Sequence, residues 1–365
     1  SIELVLGHAL RAIDLDARTV TLGPARPAGT MESGDRVLPW DRLLLAVGGT
    51  PIIPPAEGLA EHDYFTFTTF DDAKRLAAHL EGRRQAVVIG GGLIGISVTE
   101  ALVKLGVRTT IVELAPQILG RALDAHAGTL ARRAIEGAGV RVLTGRTVTR
   151  VLGRAGGTRD VAAVVLDDGQ ELACDTLIVA VGVKPRVEVV AGTGIACGRG
   201  IVVDRHMATS APGVYACGDV AEAYDFILGG NRLTPIWPNA YLGGRIAGRN
   251  MAGVETVYAG GTAMNSLHSF GLSIMSAGTV DPPADDGSYE ILCEEDPRRG
   301  SYKKVVLQNG RVVGMIFAGA IERAGIIFGL MKHGVVVDAY KRRLLADDLG
   351  LLSLPREVRL ALMQA

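Results

Sequence analysis

The sequence predicts an α/β fold with two domains that share a repeated strand motif, followed by an α+β domain. Three observations support this prediction. The chain has 365 residues, 48% of them apolar, which is enough for two or three domains. Its 48 glycines and 5% aromatic residues suit many tight turns between strands and helices. One strand motif is repeated, and one copy begins with a glycine-rich turn.

The repeated motif is a strand that ends at a glycine. The two copies are "LPWDRLLLAVGGTP", Leu38 to Pro51, and "LACDTLIVAVGVKP", Leu172 to Pro185. They share Leu, Asp, Leu, Ala-Val-Gly and Pro at the same offsets, and their aspartates are 175 − 41 = 134 residues apart. Each copy predicts a buried strand with a proline closing the following turn. The common register favours a duplicated domain over chance similarity.

The second copy starts at "AVVIGGGLIGISVTEALVKLGVRTTIVEL", Ala86 to Leu114. An apolar strand enters a G-x-G-x-x-G turn, a helix follows, and a second strand comes after it. Gly90 would permit the tight turn, Gly92 would let the backbone approach a pyrophosphate, and Gly95 would let helix and strand pack closely. The alternative is a glycine-rich packing turn without a ligand. The candidate residues of this Rossmann-like turn are Gly90, Gly91, Gly92, Leu93, Ile94 and Gly95.

An acidic residue ends the second strand of this unit. Glu113 follows Gly90 by 113 − 90 = 23 residues, close to the spacing at which a carboxylate accepts hydrogen bonds from the ribose hydroxyls. A carboxylate at this point would repel a 2′-phosphate. The sequence therefore predicts NAD rather than NADP.

The stretch "GVYACGDVAEA", Gly213 to Ala223, predicts a flavin contact. A strand runs into Gly218 and Asp219, where the carboxylate could accept a sugar hydroxyl; the alternative is an Asx-type turn. If the first copy is built like the second, its glycine turn falls near 90 − 134 = −44. We therefore expect the first βαβ unit of the flavin domain to lie upstream of Ser1.

Taken together, "LLLAVGGTP", "VVIGGGLIG", "LIVAVGVKP" and "GVYACGDV" resemble the pyridine nucleotide-disulfide oxidoreductase family. The likeness is to its branch of ferredoxin and rubredoxin reductases and the flavin portion of assimilatory nitrite reductase, and it runs from Ser1 to about residue 260. It implies FAD and NAD as cofactors and an FAD domain split by an inserted NAD domain. The implied divisions are 1–80 and 184–258 for the FAD domain, 81–183 for the NAD domain, and 259–365 for a C-terminal interface domain.

The resemblance also implies roles for five residues. Asp219 would hydrogen-bond the ribityl chain of FAD, and Gly48 and Gly182 would mark the chain crossings between the nucleotide domains. Two prolines predict the end of an extended piece before Asn239, where a helix with a small-residue face would start. In the family this helix, with Asn239 and Ala240 at its start, points its N-terminus at the flavin. Tight helix packing without a ligand is the alternative.

Two features depart from the family pattern. Many relatives carry Glu two residues after the third glycine, where this chain has Ser97, and Glu100 is expected to face solvent. The C-terminal region has no His-Glu pair of the disulfide reductases; His333 is interpreted as part of a helix end with a glycine cap. "YKKVVLQNGRVVGMIFAGAI" predicts a hairpin around Asn309-Gly310, and "ERAGIIFGLMKHGV" a helix. We assign no catalytic residue.

Composition argues against several function classes. The chain has 38 basic and 39 acidic residues, so it offers no basic field for nucleic acid or an anionic membrane. Its longest apolar run, Val312 to Ile321, predicts a buried strand and is too short for a membrane span. The seven histidines lack ligand spacing, so no metal site is predicted. The cysteines contain no C-x-x-C motif and are interpreted as buried residues of a cytoplasmic protein: Cys174, Cys197, Cys217 and Cys293.

These patterns lead to one functional hypothesis. The chain is expected to be an NADH-dependent flavoprotein that transfers electrons between NAD(H) and a protein redox partner, either an iron-sulfur protein or subunit, a ferredoxin or a rubredoxin. Such a protein would be an oligomer or a subunit of a complex. The alternatives are a non-catalytic nucleotide-binding subunit, and an NADH oxidase that reduces a disulfide or oxygen with its cysteine in the upstream segment.

Overall fold

The computed structural model describes residues 2–25, 34–154, 156 and 158–363. Contacts divide the chain into two compact units: unit 1 comprises residues 1–50 and 184–263, and unit 2 comprises residues 51–183 and 264–365. This division places residues 51–80 in unit 2, whereas the family resemblance predicts that they belong to the first FAD segment. The four-domain boundaries themselves stay a prediction.

In the described part of the chain, the strands and helices between residues 8 and 185 come first. They are β1 His8–Asp14, β2 Thr19–Pro24, β3 Arg36–Pro39, β4 Leu43–Leu45, β5 Gly49–Pro51, α1 Phe70–His79, β6 Gln85–Ile89, α2 Leu93–Lys104, β7 Arg108–Glu113, α3 Ala125–Gly137, β8 Arg141–Thr144, β9 Val148–Gly153, β10 Val161–Leu166, β11 Glu171–Ala173, β12 Thr176–Val179 and β13 Val183–Pro185.

The remaining elements complete unit 1 and then form the C-terminal region. They are β14 Ile201–Val202, β15 Val214–Ala216, β16 Ala221–Asp225, β17 Gly230–Arg232, α4 Trp237–Met251, β18 Met264–Ser269, β19 Leu272–Gly278, β20 Tyr289–Asp296, β21 Ser301–Gln308, β22 Arg311–Ala318, α5 Ala324–Lys332 and α6 Arg356–Met363.

A parallel sheet with the order β12-β6-β7-β8 forms the centre of unit 2. Helix α2 connects β6 to β7 and α3 connects β7 to β8, as short apolar strands alternating with helices require. Val88, Ile111 and Ile178 in this sheet are fully buried. The predicted order of strand, glycine turn, helix and second strand is confirmed.

The C-terminal part of unit 2 is an antiparallel sheet with the order β18-β19-β22-β21-β20. Strands β21 and β22 meet at Asn309 and Gly310, whose φ values of 50° and 69° fit a two-residue hairpin turn. Helix α5 follows and is capped by Gly334 at φ 57°. The predicted hairpin, buried strand and capped helix are confirmed.

In unit 1 the strand of the first repeat, β4, pairs in parallel with β15, with Leu45 opposite Ala216. Both residues are buried, and Val214 and Ala247 of the same cluster are fully buried. Strands β1 to β3 form an antiparallel sheet. Strands β14, β16 and β17 form a mixed sheet, in which β14 is parallel and β17 antiparallel to β16. The carboxyl end of β15 therefore delivers the chain into Gly218 beside helix α4.

The start of α4 corrects the sequence prediction. The helix begins at Trp237, with Ile236 as its N-cap, and Pro238 lies inside its first turn. Proline is tolerated there because the N–H groups of a first turn have no intrahelical partner. Asn239 is thus the third residue of the helix and not its start.

In the described part of the chain, no helix has the length and apolar character needed to cross a membrane.

Candidate functional site

The glycine turn between β6 and α2 contains three positions that only glycine can occupy without a shift, and at Gly90 and Gly95 the obstacle is backbone. Gly90 has φ 110°, and a Cβ there would lie 2.4 Å from the carbonyl oxygen of Ala180. A Cβ at Gly95 would lie 2.0 Å from the carbonyl oxygen of Gly90, so helix α2 could not approach the turn as closely. These two glycines hold strand and helix together.

Gly92 differs from its neighbours because it faces open space. A Cβ at this position would meet no atom within 4 Å, and Gly92 is the N-cap of α2 without any side-chain cap. The N–H groups of the first helical turn have no intrahelical acceptor, which makes the helix N-terminus attractive to an anion. The backbone at Gly92 is thus free to approach a phosphate group. Leu93, 37% exposed, and Ile94 begin the helix beside it.

The carboxylate of Glu113 is held at the turn by two backbone donors. The N–H of Gly91 donates to Oε2 at 2.6 Å, and the N–H of Ala115 donates to Oε1 at 2.8 Å. Each carboxylate oxygen retains a further lone pair, so Glu113 can still accept hydrogen bonds from ribose hydroxyls. Gly91 has no room for a side chain, since a Cβ would meet Ile118 and Glu113.

Ser97 and Glu100 lie further along α2. The hydroxyl of Ser97 donates to the carbonyl of Leu93 at 2.9 Å within the helix. Glu100 was expected to face solvent, and this expectation is wrong: it accepts a bond from the N–H of Phe270 at 3.1 Å and pairs with Lys104. Burial opposes ionisation of Glu100, but these donors outweigh it and lower its pKa. Glu100 therefore links α2 to the C-terminal sheet.

In unit 1 the carboxylate of Asp219 follows Gly218 in a short 3₁₀ turn at the end of β15. Asp219 is half-buried, and it has no hydrogen-bond or ion-pair partner in the part of the chain that the structure describes. Burial raises the pKa of this carboxyl above its usual range. A half-buried carboxylate of this kind is suited to accept donors from a ligand, which the Asx-turn alternative does not explain.

A small cavity lies between this turn and helix α4, with Gly218 and Asn239 in its lining. The side-chain amide of Asn239 donates to the carbonyls of Thr234 and Thr262, both at 3.3 Å. Asn239 thus fastens the helix start to the neighbouring backbone. A Cβ at Gly218 would meet Ala240 at 3.7 Å, an ordinary contact.

Several small residues of α4 pack against neighbouring residues of unit 1. A Cβ at Gly243 would lie 3.4 Å from Cys217 and from Met207, which agrees with the close-packing interpretation of these glycines. The helix start is more exposed: Trp237 is 84% exposed and Tyr241 64%. Protein therefore covers the helix at Gly243 and Gly244 but not at Gly248, and Asn239 of the first turn lines the cavity.

Gly48 and Gly182 both have left-handed backbones, with φ 67° and 120°. Each is followed directly by one of the paired strands β5 and β13, in which the chain passes from one unit to the other. The N–H of Arg186 donates to the carbonyl of Gly48 at 3.1 Å, and the N–H of Ile52 to that of Gly182 at 2.9 Å. Whether either glycine contacts a nucleotide stays a prediction.

The cysteines only partly fit the sequence interpretation. Cys174 and Cys217 are buried, but Cys197 and Cys293 are exposed, so the prediction of four buried cysteines is wrong. Cys197 lies in a loop before β14, and Cys293 lies on the edge strand β20, most of which is exposed. Among the described residues no group of three or more histidine, cysteine or carboxylate side chains could hold a metal ion.

Sequence reasoning missed the loop from Leu114 to Leu123, which supports the glycine turn from behind. The N–H of Leu119 donates to the carbonyl of Gly91 at 2.9 Å. The side chain of Ile118, which is 1% exposed, packs against the same glycine. The loop carries no motif, and its contacts join residues more than 25 positions apart. No signal in a single sequence identifies it.

Comparison with known proteins covers most of the chain. A family model described as pyridine nucleotide-disulphide oxidoreductase matches residues 1–244, and one described as the rubredoxin NAD+ reductase C-terminal domain matches residues 264–335. The NADH-dependent phenylglyoxylate dehydrogenase subunit epsilon of Aromatoleum evansii is 33% identical over 345 residues, which are 94% of this chain and 78% of that protein.

Two further proteins are similar over large parts of their length. The ferredoxin–NAD(+) reductase component of the biphenyl dioxygenase system of Paraburkholderia xenovorans is 32% identical over 250 residues, 68% of this chain and 58% of that protein. The crystal structure of a FAD-dependent pyridine nucleotide-disulphide oxidoreductase from Desulfovibrio vulgaris superposes with a TM-score of 0.82 at 25% identity, covering 98% of this chain and 88% of that one.

Proposed function

The chain belongs to the pyridine nucleotide-disulphide oxidoreductase family, and on this premise we propose that it is an NADH-dependent flavoprotein oxidoreductase that exchanges electrons between NAD(H) and a protein redox partner through FAD. The observation that carries the proposal is the open backbone at Gly92, at the N-terminus of α2, next to the anchored carboxylate of Glu113. Both features suit a dinucleotide.

In the NAD site, each part of the turn has one task. The first N–H groups of α2 bind the pyrophosphate, because they point out of the helix without acceptors. Gly92 leaves room for this approach, and Glu113 accepts the ribose hydroxyls while its charge disfavours a 2′-phosphate. The coenzyme is accordingly NADH rather than NADPH.

In the FAD site, Asp219 binds a hydroxyl of the ribityl chain. Its half-buried carboxylate lacks a partner among the described residues, and burial raises its pKa, so a ligand donor would relieve the cost of desolvation. Helix α4 directs its N-terminus toward the flavin, where the helix dipole stabilises negative charge. Bound FAD supplies the hydride and electron chemistry, and the protein supplies binding and orientation.

The electron partner is a ferredoxin- or rubredoxin-type protein or an iron-sulfur subunit. The match of residues 264–335 to a rubredoxin reductase domain and the likeness to a ferredoxin reductase component support this partner class. A disulfide partner would need a reactive thiolate. Burial raises the pKa of Cys174 to about 12 and also raises the pKa of Cys197 and of Cys217. We further propose that the chain acts in the cytoplasm, as an oligomer or as a subunit of a complex.

The test measures which acceptor is reduced. The protein expressed from its natural gene is purified, its flavin identified, and NADH-dependent reduction assayed with ferredoxin, rubredoxin, oxygen, and the disulfides of glutathione, coenzyme A and thioredoxin. We expect FAD and fast reduction of a metal-centre protein. Fast turnover with a disulfide or oxygen alone would contradict the partner class, and a protein that binds NADH without flavin or turnover would favour a non-catalytic subunit.

A further inference from the structure

Two adjacent lysines in strand β21 are buried. Lys303 is 4% exposed and Lys304 is 5% exposed. Side chains that follow each other in a strand point to opposite faces of the sheet, so the two amines meet different partners. A lysine is buried in a folded protein almost only when it is paired. The partners therefore indicate what each lysine holds in place.

Lys303 is paired within the C-terminal part of the chain. Its Nζ donates to the carboxylate of Asp347 and to the carbonyl of Leu345, at 2.7 Å for the latter. Glu294 lies at 3.6 Å. None of these partners belongs to the segment that forms the nucleotide turn.

Lys304 and Tyr302 instead reach the segment that carries the nucleotide turn. The Nζ of Lys304 donates to Oδ2 of Asp124 at 2.9 Å, and the hydroxyl of Tyr302 donates to the same oxygen at 2.8 Å. The other oxygen of Asp124 accepts the N–H of Ala127 at 3.0 Å and caps helix α3. Burial opposes ionisation of Asp124, but its three donors prevail and lower its pKa.

Asp124 directly follows the loop that supports the glycine turn. This loop, residues 114–123, starts after Glu113 and is fastened in its middle by the bond from Leu119 N–H to the carbonyl of Gly91. It is also braced by the amide of Gln117, which donates to the carbonyl of Leu123 at 3.0 Å. The loop is therefore fixed at Gly91 on one side and at Asp124 on the other.

We propose that Lys304 and Tyr302 of the C-terminal sheet are positioning residues for NAD(H). By holding Asp124 they fix loop 114–123, and the loop in turn fixes Gly91 and Glu113 in the geometry that accepts the coenzyme. This inference rests on the proposed NAD site. It assigns the C-terminal sheet a part in coenzyme binding without any contact to the coenzyme.

The experiment compares two neighbouring lysines in the complete chain. Lys304→Met removes the bond to Asp124, and Lys303→Met is the matched control, because it removes an equally buried amine of the same strand. NAD+ binding is measured by calorimetry, and hydrogen exchange is measured at the amide of Leu119. We expect Lys304→Met to weaken NAD+ binding about tenfold and to speed exchange at Leu119, because small displacements of supporting groups have effects of this order or larger. Lys303→Met should change neither.

Two further variants keep the test decisive if Lys304→Met does not fold. Tyr302→Phe retains the ring and loses one bond to Asp124. The double variant Asp124→Asn with Lys304→Met removes both charges, while asparagine still caps α3. Wild-type NAD+ affinity in these folded variants, or an equal loss in Lys303→Met, would overturn the inference. An unaltered chain that does not bind NAD+ would instead overturn the proposed NAD site, and exchange at Leu119 would still decide whether Lys304 holds the loop.

Discussion

Two alanine substitutions, three residues apart in the glycine turn, are expected to have different effects. Gly92→Ala should weaken coenzyme binding, and Gly95→Ala should lower the stability of the fold. At Gly92 the added Cβ meets nothing within 4 Å, and the backbone, at φ −81°, suits any residue. Alanine loses less chain entropy on folding than glycine but is the poorer N-cap, and the two effects are each about 0.5 kcal/mol and opposite in sign. We expect the free energy of unfolding of Gly92→Ala to stay within about 0.5 kcal/mol of the wild type.

Gly95→Ala, in contrast, is expected to lower the free energy of unfolding. Its Cβ would lie 2.0 Å from the carbonyl oxygen of Gly90, more than 1 Å inside ordinary contact, where Cβ distances begin at about 3.4 Å. Backbone has to move to relieve this overlap, and overpacking of a core costs about 1 to 3 kcal/mol. Helix propensity returns less than about 1 kcal/mol of this. Gly95→Ala should therefore unfold at clearly lower urea concentration.

The assay pairs urea unfolding with calorimetric titration of NAD+. Gly92→Ala should bind NAD+ about tenfold or more weakly, since the methyl group occupies the space through which the pyrophosphate reaches the helix N-terminus. Gly95→Ala should show its main effect in stability. If folded Gly92→Ala binds NAD+ with wild-type affinity, the phosphate does not approach at Gly92 and the reasoning fails.

Further predictions concern three carboxylates. NADH should reduce the flavin much faster than NADPH. The double variant Glu113→Ala with Leu114→Arg should reduce the difference between the two rates. Equal rates in the unaltered protein would contradict the predicted preference for NADH. Asp219→Asn should stabilise the ligand-free chain at neutral pH by about 0.5 kcal/mol, since it removes a desolvated charge. The raised pKa of Asp219 means that the wild type loses stability as pH rises above 3.8, so the gain should vanish in urea unfolding below that pH. Asp124 has a lowered pKa, so its stabilisation should be complete above pH 3.8 and lost as pH falls through its folded pKa; Asp124→Ala, which leaves Lys304 unpaired, should cost about 3 kcal/mol in the same measurement at neutral pH and less in acid.

Local patterns predicted the elements that depend on neighbours in sequence. The turn at Gly90 to Gly95 follows from the spacing of glycines and the apolar strand before them, and the hairpin at Asn309-Gly310 follows from turn chemistry. The start of α4 was misplaced by two residues, because Pro238 permits either the end of an extended piece or the first turn of a helix. Helix boundaries are set by such weak local preferences.

Contacts between distant segments could not be predicted. The sequence alone suggests that Glu100 is a surface residue of α2. In the structure its carboxylate accepts a hydrogen bond from the N–H of Phe270, which lies 170 residues later in the chain. Cys293 looks like an apolar residue of a strand, but it lies on the exposed edge strand β20. In both cases the tertiary partner or its absence decides the environment, and a single sequence carries no record of it.

The two carboxylates of the proposed nucleotide sites differ in how they are held. Glu113 accepts two backbone N–H bonds from its own unit, so its carboxylate is oriented before any coenzyme arrives. Asp219 is half-buried with a raised pKa and has no partner among the described residues. Its ionised form therefore carries an uncompensated desolvation free energy until a ligand donates a hydrogen bond to it. The proposed NAD site is thus preorganised at Glu113 by the fold, and a preorganised site needs little rearrangement on binding. The proposed Asp219 site would instead gain a hydrogen bond from its ligand, so binding of a flavin there would stabilise unit 1 itself.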